Sequence, residues 1–177
     1  MELLNFDNLA QVLEEYAQDV RNTYQDKLIT ADRIASGKLL NSIEYSVTQG
    51  ENEWVVSLSL EKYWKYLEYG VSGAKNTGSP FSNPGWGAYP HILEWIKVKP
   101  VLPRPGRNGK LPSQKSLAYL ITRSIVKNGT MPGGEMKEAI DEVNERYREK
   151  LVIAFRKDTE NIMKVIVGGF TGSVPTY

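Results

Sequence analysis

The sequence predicts an α+β fold: a small antiparallel β-sheet, built as a hairpin over about residues 43–60, packed by a long N-terminal helix and a long C-terminal helix, with long Gly/Pro-rich loops. Three observations carry this prediction. Apolar residues recur at steps of three and four near both ends of the chain, and they alternate singly around a turn in the middle. Two further stretches are too rich in glycine and proline for a helix or a central strand. At 177 residues the chain is expected to form a single domain over 1–177, with extended loops at 70–90 and 99–113 and a short C-terminal tail at 168–177.

The elements follow in order. Leu9, Leu13, Tyr16, Val20, Tyr24 and Leu28 lie on one face of a helix expected from about 7 to 33, with Asp7 as its N-cap. Ser36-Gly37 breaks it. Ile43, Tyr45 and Val47 then alternate, as do Trp54, Val56, Leu58 and Leu60, with Gly50-Glu51-Asn52 supplying turn chemistry between them. Residues 62–70 read as one or two helical turns closed by Gly70, and their dense aromatics (Tyr63, Trp64, Tyr66, Tyr69) are expected in the core. The 70–90 loop holds Phe81, Trp86 and Tyr89, which suit a loop that docks on its own domain or on a neighbour.

Pro90 to Val98 reads as a short helix with proline in its first turn. After the proline-rich 99–113 loop, a helix is expected over 114–127. Ser113 is its cap, Leu117, Leu120, Ile121 and Ile125 form its apolar face, and Asn128-Gly129 ends it. The last helix is expected from about Glu135 to Val167, stopped by Gly168-Gly169, with Leu151 to Phe155 buried on several sides.

Composition narrows the chemistry. There is no cysteine and a single histidine, His91. Disulfides, thiolate metal sites, cysteine nucleophiles and two-histidine metal motifs are therefore excluded. His91 opens an amphipathic helix, where a hydrogen-bonded structural role is expected, and a hydrolase would need an acid and an exposed serine beside it. GRNGKLPS and ASGKLL lack the spacing of a phosphate-binding loop. Glu14-Glu15 and Asp141-Glu142 diverge by ~100° on their helices, so neither pair converges on a site. Glu44, Glu61 and Glu68 have no metal-ligand spacing. No apolar run nears the ~18 residues of a membrane span, and the acidic N-terminus is unlike a signal peptide. A soluble intracellular protein without cofactor or small-molecule substrate, and not an enzyme, is the expectation.

Net charge is +1, but it is unevenly distributed. Segments 1–36, 37–94 and 135–177 carry −4, −2 and −1, whereas 95–134 contains eight bases and no acid. Lys97, Lys99, Arg104, Arg107 and Lys110 are the candidate interface or DNA-facing residues of this block. Three readings remain open: contact with an acidic protein neighbour, contact with a nucleic-acid backbone, or a solvated loop.

Three phrases add a resemblance. They are ASGKLLNSI (35–43), YWKYLEYG (63–70) and SPF (79–81), and LAYLITRSIVKNGTMP (117–132) follows them. Their order is similar to that of the tail-completion, or minor tail and neck, proteins of tailed bacteriophages. The chain departs from that pattern in its proline-rich basic insertion at 99–113. The resemblance implies a non-enzymatic virion component in a homo-oligomeric ring at the head–tail junction. Its implied partners are copies of itself, portal or adaptor proteins, tail proteins and the backbone of packaged DNA, with no membrane. It would reside in the virion, and in the host cytoplasm during assembly. Gly37, Leu39, Ser42, Tyr63, Tyr66, Glu68 and Gly70 are the implied structural residues of the motif. The alternative is a phage-associated protein that binds nucleic-acid backbone through the basic segment 97–127.

Overall fold

The computed structural model describes residues 6–51, 53–75, 78–99, 101–106 and 109–171, with side chains to 166. Its elements are α1 (Asp7–Thr30), α2 (Lys38–Asn41), β1 (Glu44–Gln49), β2 (Trp54–Ser59), α3 (Trp64–Tyr69), α4 (Tyr89–Val98), α5 (Gln114–Asn128) and α6 (Glu135–Thr171), with a 3-10 turn at Gly85–Ala88 before α4. They group into two compact units. Unit 1 takes the chain up to Tyr24, Glu44–Ser59, and everything from Glu138 on; unit 2 takes Gln25–Ile43 and Leu60–Lys137.

Unit 1 is the small antiparallel sheet flanked by the long N-terminal and C-terminal helices. β1 and β2 pair with Tyr45 opposite Leu58, Val47 opposite Val56 and Gln49 opposite Trp54. The alternating apolar set is half-buried while Glu44, Ser46 and Thr48 are exposed, as period-two patterning requires. The core is Val20, Val143 and Tyr147, with Val12, Tyr16, Leu58, Ile140 and Leu151 packed against it. Tyr16 and Tyr147 meet edge to face at 5.7 Å. Burial, and then the hydrogen bond its hydroxyl donates to Asp19 at 2.9 Å, push the Tyr147 phenol up to about 12. Tyr16 is also raised by burial, and its hydroxyl donates to Asn144.

The structure corrects several expectations for these helices. α1 ends at Thr30 rather than about 33. Its first intrahelical bond runs from the Ala10 amide to the Phe6 carbonyl, so Asp7 is the first helical residue and not the cap. Asp158 of α6, only 2% exposed, caps α1 instead. Its two oxygens accept from the amides of Asn8 (3.2 Å) and Leu9 (2.8 Å), and Oδ1 also from the Asn8 side chain (2.6 Å). Within Leu151–Phe155 only Ala154 is buried; Val152 and Ile153 are exposed, as is Phe155, which stacks on Phe6. A run of apolar residues covers every side of a helix, and packing here reaches one side only. Gly168-Gly169 does not stop α6, which continues to Thr171, because glycine costs a helix only about 1 kcal/mol per residue. The expected tail at 168–177 thus begins inside the helix, and 172–177 lie outside the described residues.

Unit 2 is organised by a close backbone crossing. Residues 67–75 run against 126–134. The Val71 and Thr130 backbones bridge, Gly133 donates to the Leu67 carbonyl, and Ala74 and Lys75 donate to the carbonyls of Val126 and Lys127. Gly70 (φ 68°, ψ −168°) and Gly129 (φ 73°, ψ −168°) occupy a region that only glycine enters readily. A Cβ on Gly70 would overlap the Thr130 carbonyl, and one on Gly129 the Val71 carbonyl.

The described residues of segment 70–90 are held by the segment's own side chains. The Ser79 hydroxyl donates to the Gly70 carbonyl, the Ser72 amide and hydroxyl both donate to the Phe81 carbonyl, and the Asn83 side chain donates to the Ile125 carbonyl. It holds the 3-10 turn, a short helix that sequence reading excluded; a single four-residue turn tolerates the glycines. α5 carries the expected cap, the Ser113 hydroxyl accepting from the Ser116 amide. Its buried positions are Ala118 and Thr122, while Leu120 is 51% exposed. The inward face is therefore rotated from the expected one, because close packing favours the smaller residues.

Candidate functional site

At α3 the structure again departs from expectation. Its aromatics were expected in the core, yet Tyr63, Tyr66 and Tyr69 are each at least 40% exposed, and the buried residue is Glu68. Glu68 caps α6: Oε2 accepts from the Met136 amide at 2.8 Å and Oε1 from Lys137 at 3.0 Å. Helix N-termini carry orphan amides and a partial positive charge, so a carboxylate satisfies both. Once Glu68 faces inward, the tyrosines around it on α3 must face outward. Phe81 closes over them, 5.3 Å from the Tyr66 ring and 5.8 Å from Tyr69, with the Lys65 ammonium 5.4 Å from the Phe81 ring.

Gly37, Leu39 and Ser42 lie in the same unit. Gly37 (φ 76°) starts α2, Leu39 is buried, and the Ser42 hydroxyl donates to the Leu39 carbonyl and accepts from the Glu61 amide. Gly37, Leu39 and Tyr63 line, with Leu28 and Arg33, a cleft with room for about one water molecule. That is too small for a substrate pocket.

The loop aromatics dock on their own unit. Phe81 sits on α3. Trp86, half exposed, stacks on Tyr119 of α5 at 5.1 Å and 22°. Tyr89 is half-buried at the start of α4.

The basic block divides. Lys97 pairs with Glu94 at 3.2 Å, and Lys99 pairs with the Asp32 carboxylate at 2.8 Å and donates to its carbonyl. Both cations are thus partly answered within the unit. Arg104 and Lys110 are exposed, and Arg107 lies outside the described residues. Lys115, Arg123 and Lys127 are exposed along α5, and among the described residues no carboxylate stands within ion-pair distance of any of them.

No catalytic arrangement emerges among the described residues. His91 is exposed on α4 and its side chain makes no hydrogen bond among the described residues, which corrects the expected structural bond. Of the three carboxylates with a metal site in question, Glu68 is committed to α6 while Glu44 and Glu61 are exposed. Among the described residues, no group of three or more His, Asp or Glu could hold a metal ion, and no helix is long and apolar enough to cross a membrane.

Sequence reading does not single out Asp158 or Tyr119. Asp158 is one acid in a charged helix, and nothing local marks it as the cap of a residue 150 positions away. Tyr119 could have been found from its spacing of four from Lys115 and from Arg123. No protein-family model, no curated protein and no solved structure matches this chain.

Proposed function

We propose that this chain is a non-enzymatic structural protein of a tailed-phage virion, one subunit of a homo-oligomeric ring at the head–tail junction. The observation that carries the reading is the interlock of the three resembling phrases. Ser42 of the first holds the chain entering the second through the Glu61 amide. Tyr66 and Tyr69 of the second receive Phe81 of the third, and Ser79 holds the Gly70 carbonyl. Phrases that contact one another this way can act as one unit, and that is the support the reading draws on.

Exposed apolar side chains on α6 (Val152, Ile153, Met163, Val165) supply surface of the kind that subunit contacts use. A ring closes through two different surfaces on each subunit, and complementary charge orients them. The partners under this reading are further copies, portal or adaptor proteins and tail proteins, in the virion and in the host cytoplasm during assembly.

Light scattering and electron microscopy of the purified protein, alone and with portal, test the proposal. A closed ring, or a stable complex with portal, is the expected result. A strictly monomeric protein that binds neither portal nor tail components overturns it.

A further inference from the structure

We propose that the exposed face of α5, together with the 3-10 turn stacked on it, binds single-stranded nucleic acid. Bases would stack on the Trp86–Tyr119 pair, and phosphates would meet Lys115, Arg123 and Lys127. The inference does not rest on the ring reading.

The face has two independent components. The first is aromatic. Trp86 and Tyr119 are stacked, yet Trp86 is 50% and Tyr119 47% exposed, so ring surface stays open to solvent. Apolar ring surface held in place without a cover is the device by which proteins grip unstacked bases of any sequence. The second is electrostatic. Lys115, Tyr119, Arg123 and Lys127 recur every four residues, which places a cation one turn to either side of the aromatic pair and another beyond it. α5 itself carries no acid. α4 packs on it, and the carboxylate of α4, Glu94, is exposed and pairs with Lys97.

Helix stability does not explain the whole pattern. Lys127 suits the C-terminal end of the helix dipole, but Lys115 lies in the first turn, where a cation is disfavoured. A solvated helix would gain from an acid there, and the first turn has none. Acidic side chains would answer the cations but bring no planar ring to extend the open stack. A nucleic-acid strand answers both, and a single strand does so better than a duplex because its bases are free to leave one another.

Binding of the full-length protein to fluorescein-labelled oligo(dT), followed by anisotropy at several salt concentrations, tests this. Three phosphate contacts predict a log–log salt slope of about −2. Trp86→Ala with Tyr119→Ala should weaken binding roughly tenfold or more and leave that slope unchanged. Lys115→Ala with Arg123→Ala should bring the slope toward about −0.7. Thermal melts of each variant confirm folding, and Tyr119→Phe, which keeps the ring, should bind as the parent does. Absence of oligo(dT) binding overturns the proposal. So does binding insensitive to the aromatic pair, or equal competition by duplex DNA or by polyglutamate, which would assign the face to a duplex or to an acidic protein.

Discussion

The two units solve the same problem by opposite means. Each caps a long helix with a buried carboxylate distant in sequence: Asp158 at the start of α1 in unit 1, Glu68 at the start of α6 in unit 2. Around Asp158 the framework is regular, with two helices and a hairpin whose apolar periodicities already face inward. Around Glu68 the framework is a backbone crossing in which Gly70, Gly73 and Gly129 leave no space for a side chain. The difference teaches where each unit is vulnerable. Unit 1 depends on side-chain volume, which can be trimmed in steps. Unit 2 depends on close approach of main chain to main chain, which admits no small change.

The sharpest way to break this comparison is Gly129→Ala. The new Cβ meets the Val71 carbonyl in a backbone region that disfavours any side chain, so a loss of about 3 kcal/mol or more is expected. Chemical denaturation gives the magnitude, and amide exchange should show protection lost first in unit 2. Uniform loss across both units would contradict the contrast.

Next come the caps. Glu68→Ala and Asp158→Ala should each cost about 2–3 kcal/mol, since each strands amides that the carboxylate had satisfied. Glu68→Gln should recover part of the loss, because a neutral acceptor remains while the charge facing the helix dipole is gone.

A smaller effect distinguishes the cores. Tyr147→Phe should cost about 1 kcal/mol, the value of its hydrogen bond to Asp19. The same residue sets an alkaline limit. Its phenol ordinarily titrates at 10.0 and is pushed up to about 12 in the fold, so the folded state holds this proton more tightly. The contribution is complete below pH 10 and is lost as pH rises from 10 through about 12. Melting temperature against pH should therefore fall over that window, and less steeply in Tyr147→Phe.

In unit 2, Thr122 is fully buried in α5 and its hydroxyl has no hydrogen-bond partner among the described residues. Thr122→Val should stabilise by roughly 1 kcal/mol, the reverse sign from every change above. The smallest effect belongs to the exposed Lys97–Glu94 pair. Lys97→Ala should shift stability by no more than about 0.5 kcal/mol in a denaturant titration.

Legibility also differs between the units. The stripe Val20–Tyr24 on α1 and the alternation of Tyr45, Val47, Val56 and Leu58 could be read directly, because a repeating local geometry leaves a repeating sequence. The Ser113 cap could be read for the same reason, since its partner is three residues away. The aromatics of α3 misled because ring density usually marks a core, and one inward carboxylate reversed which face was buried. The basic block was visible as composition, but the split between paired cations (Lys97, Lys99) and open ones (Lys115, Arg123, Lys127) depends on where Glu94 and Asp32 lie.

The sequence by itself determined the α+β class, the two long helices, the hairpin with its inward face, and a chain without cysteine or a second histidine. These follow from composition and from contacts within a few residues. Only the tertiary structure decided that Asp158 caps α1, that Glu68 is buried beneath exposed tyrosines, that the 70–90 loop folds onto its own unit, and that Trp86 stacks on Tyr119. Each of those joins residues far apart in the chain. Such pairings leave no periodic trace, because their energy depends on the direction of approach and not on spacing along the sequence.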